Sequence, residues 1–435
     1  MLKKIRLVNL FLTSIKFKES LELIFLSTYC LFSLNLNSLE RKKNNFSRKF
    51  SINFKNKYNS LEAITVPSAR AGLLSILSAM DIGKEDEVLL TGYSCSAVAE
   101  SLLFLGIKPV YVDIDLKNYG MDVHKAKKLI TSNTKAIIVQ HTFGLPADIN
   151  RIKTLAVEYD LKIIEDCALA LGSKISNEYL GTFGDASIFS FEISKTISVG
   201  WGGLVLINED KKLAMKIIDF VNEFKYLSRF NSFKRLFQAG ISSILYSHSI
   251  YRFGGIIISF FTRLGLFKKS EIIFNKSEMP DDYLALLPEV QWNVIDRLFK
   301  RLDDINDFQI AVTKKYLKIL KNAGCNIDNN ELSQHALIRF PILVKNKERL
   351  LKYFAINGIE IGTWYSHPVS EKKDSKNIYG YISGSCKRAE FASNHMINLP
   401  THNRLSYKDL KKICNLLKKY LENYPEEIDF INTNF

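Results

Sequence analysis

The stretch Leu161-Lys162-Ile163-Ile164-Glu165-Asp166 is a short apolar run that ends in two carboxylates. A second run, Ser187-Ile188-Phe189-Ser190-Phe191, lies further along the chain, and Lys195 follows it, ahead of Gly200-Trp201-Gly202-Gly203. Short apolar runs bounded by glycine and polar residues are typical of buried strands. The sequence therefore predicts an acid at the end of one strand and a lysine on the loop that follows another.

An aspartate and a lysine in such positions are what the chemistry of pyridoxal phosphate (PLP) requires. The lysine amine forms a Schiff base with the cofactor aldehyde, and the carboxylate keeps the pyridine nitrogen protonated, so that the ring can absorb electrons. The same pair is compatible with a solvated lysine and a helix cap. The surrounding sequence has to decide between the two interpretations.

Helix and strand signals alternate through the middle of the chain. Predicted strands cover residues 88–90, 110–112, 136–139, 162–164 and 202–207, and predicted helices cover 97–105, 123–130 and 148–159. This alternation favours an α/β fold with a mostly parallel sheet covered by helices. Ligands of such sheets bind beyond the carboxyl ends of the strands, where Asp166 falls.

The last third of the chain predicts a smaller C-terminal α/β domain. Its signals are a long helix over 289–323, strands over 335–344 and 359–365, and a final helix over 406–422. We therefore divide the chain into an N-terminal extension (1–60), a large cofactor-binding domain (61–285) and a small domain (286–435). The large domain carries a basic, apolar insertion at about 224–280.

Several phrases, in this order, resemble the DegT/DnrJ/EryC1/StrS family of PLP-dependent sugar aminotransferases: residues 80–88, 105–115, 134–148, 164–166, 181–185, 189–203, 289–298 and 398–402. The resemblance runs from about residue 62 to about 422, with an interruption between about 224 and 280. It implies the fold of the type I PLP-dependent transferases and a homodimer. It also implies transfer of an amino group from glutamate or glutamine to a keto-sugar on a nucleotide or lipid carrier, in amino-sugar and cell-surface polysaccharide biosynthesis.

The resemblance also assigns roles to single residues. Lys195 would carry the Schiff base, Asp166 would pair with the pyridine nitrogen, and Ser190 would donate its hydroxyl to the cofactor phosphate. Ala69 and Arg70, where the family usually has Gly-Thr, would offer backbone N–H groups to that phosphate, as a helix N-terminus can. Cys95 aligns with the family's aromatic residue that stacks on the cofactor ring.

Three departures from the family pattern are visible. Leu169 replaces a glutamine that contacts the ring hydroxyl, Trp201 replaces a glutamate between the glycines, and the Asn-Tyr-Arg phrase of the second subunit is not found before Glu289. With Cys95, these changes support a second hypothesis. On that hypothesis the chain is a catalytically altered homologue that acts as a membrane-associated binding or assembly subunit.

The net charge of +15 is concentrated in two segments. Residues 1–60 contain 12 Lys/Arg against 3 Glu, and residues 224–270 contain 8 Lys/Arg and no acid, so the remainder is close to neutral. Both segments are also rich in Phe, Ile and Leu, which is typical of contact with an anionic membrane. Packing on the core or on a second subunit would explain the same composition. Without a base-reading motif, we expect no nucleic acid partner.

The spacing of the cysteines and the N-terminal sequence indicate where the protein is located. The spacing of the histidines bears on metal binding. Six dispersed cysteines suit a reducing cytosol, and the histidines lack metal-ligand spacing, so we expect no metal site. The apolar stretch from Leu7 to Ile15 is followed by Lys16 and Lys18 without a small-residue cleavage site, so we expect no export. The run from Leu23 to Leu36 is short for a membrane span. We expect a cytoplasmic protein, with a possible peripheral contact at the inner face of the membrane.

Overall fold

The computed structural model describes residues 15–32, 45–247, 251–267, 279–325, 332–369 and 379–434. Most of the apolar stretch from Leu7 to Ile15, and the end of the run from Leu23 to Leu36, lie outside these residues.

Seven strands form the central sheet, and two very short ones form a separate hairpin. In chain order they are β1 (Glu62–Val66), β2 (Glu87–Thr91), β3 (Lys108–Val112), β4 (Thr134–Gln140), β5 (Lys162–Asp166), the hairpin strands β6 (Lys174–Ile175) and β7 (Glu178–Tyr179), β8 (Ala186–Ser190) and β9 (Gly203–Ile207). The sheet order is β1-β9-β8-β5-β4-β2-β3. Strand β9 is antiparallel to both of its neighbours, and the other adjacent pairs are parallel. The predicted mostly parallel α/β sheet is confirmed.

Nine helices are described in the first two thirds of the chain: α1 (Phe17–Phe32), α2 (Phe46–Tyr58), α3 (Ala69–Ala79), α4 (Ser96–Phe104), α5 (Val123–Leu129), α6 (Ile149–Tyr159), α7 (Lys211–Asn222), α8 (Arg229–Leu245) and α9 (Tyr251–Arg263). Helix α6 shows why they form where they do. Asp148 caps its first turn, its residues Ile149, Ile152 and Leu155 are buried, and Val157 points to solvent. Among the described helices, none is both long and apolar enough to cross a bilayer.

The C-terminal part contains a two-stranded antiparallel sheet with helices around it. Its elements are α10 (Glu289–Phe299), α11 (Leu302–Asn322), β10 (Arg339–Leu343), α12 (Lys347–Ile356), α13 (Lys387–His395), β11 (Met396–Pro400), α14 (Tyr407–Asn423) and α15 (Glu426–Asn434). The strand predicted over 335–344 forms as β10. The one predicted over 359–365 does not form as a strand, because Ile359 and Gly362 make only isolated bridges, that of Gly362 to Asn398.

The single long helix predicted over 289–323 is also wrong. The chain bends at Lys300 and Arg301, which separates α10 from α11. Helix α10 packs on α2, whereas α11 packs on α14. The bend redirects the chain from one packing partner to the other, and apolar periodicity alone does not record such a change of direction.

Helix α2 joins the core although it belongs to the N-terminal segment. Phe50 and Phe54 are fully buried. Phe50 stacks on Trp292 with ring centroids 5.7 Å apart, and Phe54 stacks on Tyr58 at 4.4 Å. Burying rings of this size contributes several kcal/mol, so residues 45–58 are held firmly against α10 and β1.

Gly203 fixes the approach of α3 to the sheet. A Cβ atom on Gly203 would lie 2.4 Å from the carbonyl carbon of Ser68 and 2.5 Å from the nitrogen of Ala69. These are backbone atoms and cannot rotate away. The first residues of α3 therefore reach the start of β9 only because this residue has no side chain.

We expect Gly203→Ala to destabilise the protein by about 1–3 kcal/mol, because the helix N-terminus would have to move away from the sheet. The free energy of unfolding from urea denaturation measures this. Gly83→Ala is the matched control, since a Cβ at Gly83 meets nothing within 4 Å. Equal stability of the two variants would contradict the close approach.

Candidate functional site

The sheet brings two predicted site residues to the same edge. Strand β5 ends at Asp166 and the parallel strand β8 ends at Ser190, with Asp166 paired to Ile188. Lys195 follows β8 in a turn closed by a hydrogen bond from its backbone nitrogen to the carbonyl of Glu192, at 3.2 Å. Ser194 adopts a left-handed conformation with φ of 72° in this turn. Lys195, Asp166 and Ser190 therefore share the carboxyl edge of the sheet, as predicted.

Lys195 is partly buried, and the surroundings of its amine shift it towards the neutral form. Burial lowers the pKa of Lys195, and the positive charge of Arg339 lowers it further. Cys95, Glu192 and Asp166 raise the same pKa but do not reverse the net shift. A neutral amine is the form that attacks a carbonyl group.

The Asp166 carboxyl group lies almost out of contact with solvent. Its Oδ1 accepts a hydrogen bond from the backbone nitrogen of Ala168, at 2.9 Å. Burial raises the pKa of Asp166, and the Ala168 N–H group, Lys195 and His141 oppose this rise. A cation placed against this carboxylate would offset the cost of burying it.

His141 and Glu165 are fully buried, and they support the carboxyl edge of the sheet rather than face a ligand. His141 is fully buried, its Nδ1 accepts from the backbone nitrogen of Ala147 at 3.1 Å, and its Nε2 lies 3.0 Å from Glu165. This network assigns a neutral imidazole that donates from Nε2. Glu165 also accepts backbone N–H groups of Gly181, Phe183 and Gly184, at 2.7–2.8 Å.

Ala69 and Arg70 lie next to Ser190 because of the sheet register. Ser190 pairs with Gly203 across β8 and β9, and Gly203 touches the backbone of Ser68 and Ala69. The Arg70 guanidinium forms a 2.9 Å ion pair with Glu192, two residues after Ser190. Ser190 and the first residues of a helix thus lie close together, and a serine hydroxyl with the N–H groups of a helix N-terminus suits a phosphate.

Cys95 lies near Lys195, but a thiol cannot stack on a ring as an aromatic side chain does. It precedes α4, and its charge when ionised would act on Lys195. Tyr93 does not take over that role. It is fully buried, and its hydroxyl donates to the carbonyl of Trp364 and accepts from the backbone nitrogen of Tyr365, both at 2.8 Å.

Two site residues were missed by the sequence analysis, Arg339 and Trp364. The Arg339 guanidinium lies 3.3 Å from the centre of the Trp364 ring, and the Lys195 amine lies 5.8 Å from the same centre. Arg339 is 1% exposed. An arginine at the start of an apolar run is unusual in a buried strand, and that was the one available signal.

The departures at Leu169 and Trp201 have different structural settings. Leu169 is buried in the apolar core, so it offers no hydrogen bond to a ligand. Trp201 lies under the inserted helix α8, with the Arg235 guanidinium 5.3 Å from its ring centre. A Cβ on Gly200 would lie 2.8 Å from the Cβ of Ala239, also on α8. The inserted helix therefore packs directly on the loop that follows Lys195.

These residues fit PLP by their chemistry. The amine of Lys195, whose pKa is lowered, can hold its aldehyde, and the buried carboxylate of Asp166 can hold a protonated ring nitrogen. The helix N-terminus at Ala69 and Arg70, together with Ser190, can hold its phosphate. The departures at Leu169 and Cys95 concern the ring hydroxyl and the ring face and leave these three attachments in place.

Comparison with known proteins agrees with this chemistry. The sequence matches the DegT/DnrJ/EryC1/StrS aminotransferase family over residues 34–236 and 283–418, which is more than half of the chain. The gap between the two matched parts contains the whole of α9 and the second half of α8.

Two curated relatives and one solved structure illustrate the match. The dTDP-3-amino-3,6-dideoxy-alpha-D-galactopyranose transaminase of Aneurinibacillus thermoaerophilus is 26% identical over 381 residues, 86% of this chain and 89% of the relative. The GDP-perosamine synthase of Escherichia coli O157:H7 is 38% identical over 178 residues, 41% of this chain and 49% of the relative. The aminotransferase structure from Psychrobacter cryohalolentis has a TM-score of 0.72 at 19% identity, covering 95% of this chain and 98% of that one. The last shows a shared fold.

We expect Arg339→Gln to move the uptake of PLP to higher pH. The Arg339 charge lowers the pKa of Lys195, so its removal raises that pKa and a higher pH is needed to deprotonate the amine. The pH midpoint of PLP uptake, followed by visible absorbance of the protein, measures this. Arg339→Lys keeps the charge and is the control, expected to retain the midpoint of the unmodified protein. An unchanged midpoint in Arg339→Gln would contradict the electrostatic coupling.

Proposed function

Because this chain belongs to the DegT/DnrJ/EryC1/StrS aminotransferase family, we propose that it moves an amino group from glutamate to a keto-sugar carried on a nucleotide or a lipid. The chain is a PLP-dependent aminotransferase. The observation that carries the proposal is the buried amine of Lys195, held at the same sheet edge as Asp166 with Arg339 beside it. The named relatives act on amino-sugars, which supports a sugar as the acceptor.

The chain's own residues divide the work. When bound, PLP supplies an electron sink for the carbon that carries the amino group. Lys195 Nζ holds the cofactor and then carries the proton removed from the donor's α-carbon, which its lowered pKa allows. Asp166 holds a positive charge at the pyridine nitrogen. Ser190, with the backbone of Ala69 and Arg70, binds the phosphate.

Arg339 supports an amino acid as the donor. Its guanidinium is planar and permanently charged, so it can bind a carboxylate through two parallel hydrogen bonds. It lies on Trp364, close enough to Lys195 to lower the pKa of that amine. A donor carboxylate bound there would place its amino group near the cofactor. We propose that Arg339 binds the α-carboxylate of glutamate.

We also propose a homodimer in the cytosol, at the inner face of the membrane. All six cysteines are free thiols, which suits a reducing compartment. The homodimer follows from the family resemblance.

The second candidate is a homologue that has lost transamination and acts as a binding or assembly subunit. Leu169 favours this candidate, because a leucine side chain, here buried in the apolar core, cannot hydrogen-bond the ring hydroxyl of PLP. The buried amine of Lys195 and the buried carboxylate of Asp166 favour the enzyme, since both cost free energy to bury and have no evident purpose without a ligand.

Transfer of labelled nitrogen decides between the two candidates. We expect the protein to move ¹⁵N from glutamate into at least one member of a panel of keto-sugars on nucleotide or lipid carriers, detected by mass spectrometry. Lys195→Ala should abolish the transfer, because no amine remains to carry the proton. A protein that binds PLP and transfers no ¹⁵N to any member of the panel would favour the binding-subunit hypothesis.

We expect Asp166→Asn to lose turnover and keep the fold. A neutral amide cannot hold a protonated pyridine nitrogen, so the electron sink is lost. Steady-state rates measure the loss, and circular dichroism checks the fold. Asp281→Asn, an exposed position, is the control. An Asp166→Asn rate within about tenfold of the unmodified protein, about 1.4 kcal/mol, would show that Asp166 is not that partner.

A further inference from the structure

The two basic, apolar segments of the sequence form one helical unit. Helix α1 packs along α8, which belongs to the insertion, and α9 packs on the other part of α8. At the crossing of α1 and α8, a Cβ on Gly240 would lie 2.7 Å from the carbonyl oxygen of Ser20. Ser243 on α8 donates to the carbonyl of Ile15, at 3.4 Å. We call α1, α8 and α9 the helical unit.

Helix α1 buries mainly small side chains and exposes large apolar ones, the reverse of a normal helix in water. Its buried residues are Ser20, Leu23, Ser27 and Cys30, three of them small. Its exposed residues are bulky and apolar: Phe17 at 62%, Leu21 at 48%, Phe25 at 70%, Tyr29 at 46% and Phe32 at 81%. A surface helix normally buries its large apolar side chains. Small residues at the helix contact and large ones outside are typical of helices that face lipid.

The packing partner of α1 continues the pattern. The part of α8 at the contact with α1 includes the small residues Gly240 and Ser243. They let the two backbones approach closely, as the Gly240 contact shows. The apolar side chains of α1 are therefore left on the outer side of the contact.

Helix α9 exposes a second apolar stripe. Ile256 is 70% exposed, Phe260 58% and Leu264, just beyond the helix, 57%. These residues are four apart and so lie on one side of the helix. Phe261 faces the other way and packs on Phe237 of α8, with ring centroids 6.2 Å apart. Both outer helices of the unit thus turn large apolar side chains away from α8.

Charge is distributed to match an anionic surface. The two acids of α1 are paired with the protein body, Glu19 with Arg301 at 2.7 Å and Glu22 with Arg297. Residues 224–270 contain no acid. Exposed cations accompany the stripes: Lys18 precedes Leu21 by three residues, and Arg263 follows Phe260 by three.

Not every cation of the insertion is available. Arg235 is buried and forms a 2.9 Å ion pair with Asp282. Lys234 is partly buried and donates to the carbonyl of Gly265 at 2.9 Å. The exposed cations considered as candidate contacts on the insertion are Lys225 and Arg263.

We propose that α1 and α9 lie on an anionic bilayer, with their apolar stripes in the headgroup region and Lys18, Lys225 and Arg263 on the lipid phosphates. Interfacial helices of this kind hold a protein on one leaflet by combining apolar burial with charge. The inference specifies the membrane contact of the proposed enzyme, and it is measured by binding, so it stands or falls independently of transamination.

Vesicle flotation of the full-length protein tests the contact. We expect the unmodified protein to float with phosphatidylcholine vesicles that contain phosphatidylglycerol, and at least tenfold less with pure phosphatidylcholine. Two variants separate the contribution of the apolar stripes to binding from that of the cations. The stripe variant carries Phe25→Ser and Phe260→Ser, and the charge variant carries Lys18→Gln, Lys225→Gln and Arg263→Gln. Each should lose binding at least tenfold.

Matched controls change the same residue types elsewhere on the surface. Val157→Ser with Ile356→Ser removes exposed apolar side chains, at 85% and 65% exposure. Lys117→Gln with Lys153→Gln and Lys321→Gln removes three exposed cations. Both controls should bind as the unmodified protein does. Equal losses in controls and test variants would overturn the proposal, because the binding would then be nonspecific.

Light scattering on the same samples tests whether the apolar stripes bind a second copy of this chain instead of a membrane. A stripe variant that changes the oligomeric state, together with an unmodified protein that floats with neither kind of vesicle, would assign the stripes to a protein interface and overturn the proposal. Transfer of ¹⁵N to a nucleotide-linked keto-sugar should be unchanged in the stripe variant, which shows that its site is intact.

Discussion

Burying the amine of Lys195 at the same sheet edge as the carboxylate of Asp166 costs free energy for both charged forms, and the surrounding structure is arranged to hold them there. Parallel pairing of β5 and β8 sets the edge. Glu165, one residue before Asp166, ties the loop of Gly181 to Gly184 through three backbone N–H groups and is itself held by His141. Lys195 and Asp166 thus rest on a hydrogen-bonded layer that does not itself face the ligand.

The sequence predicts this edge well, because the features that form it are local. Apolar runs, the acid at the end of β5 and the glycines after Lys195 lie within a short stretch, and each has a direct physical meaning. Arg339 and Trp364 could not be predicted in the same way. They come from a part of the chain that reaches Lys195 only through tertiary packing, and a lone arginine or tryptophan has no periodicity to detect. The bend between α10 and α11 could not be predicted either, because the apolar spacing continues across it.

One departure from the family pattern, Trp201, lies where α8 packs on the loop that follows Lys195. Trp201 stands where the family has a glutamate, and here it lies under Arg235 of α8. Arg235 is buried, lies over the indole ring and forms an ion pair with Asp282, so Trp201 packs against α8 through this side chain. The tryptophan and the inserted helix are therefore best understood together. Leu169 has no such partner, and the structure places it in the apolar core.

The contact between Gly200 and Ala239 has a practical consequence for anyone who wishes to work with this protein in solution. Excising the helices rich in Phe and Ile is the obvious way to obtain a better-behaved sample. Such a truncation would remove α8, and with it the surface against which the loop after Lys195 is folded. The trimmed protein would lose the surface that packs on Gly200. Detergents or lipid nanodiscs, which shield the outer stripes and leave α8 in place, are the appropriate route to purification.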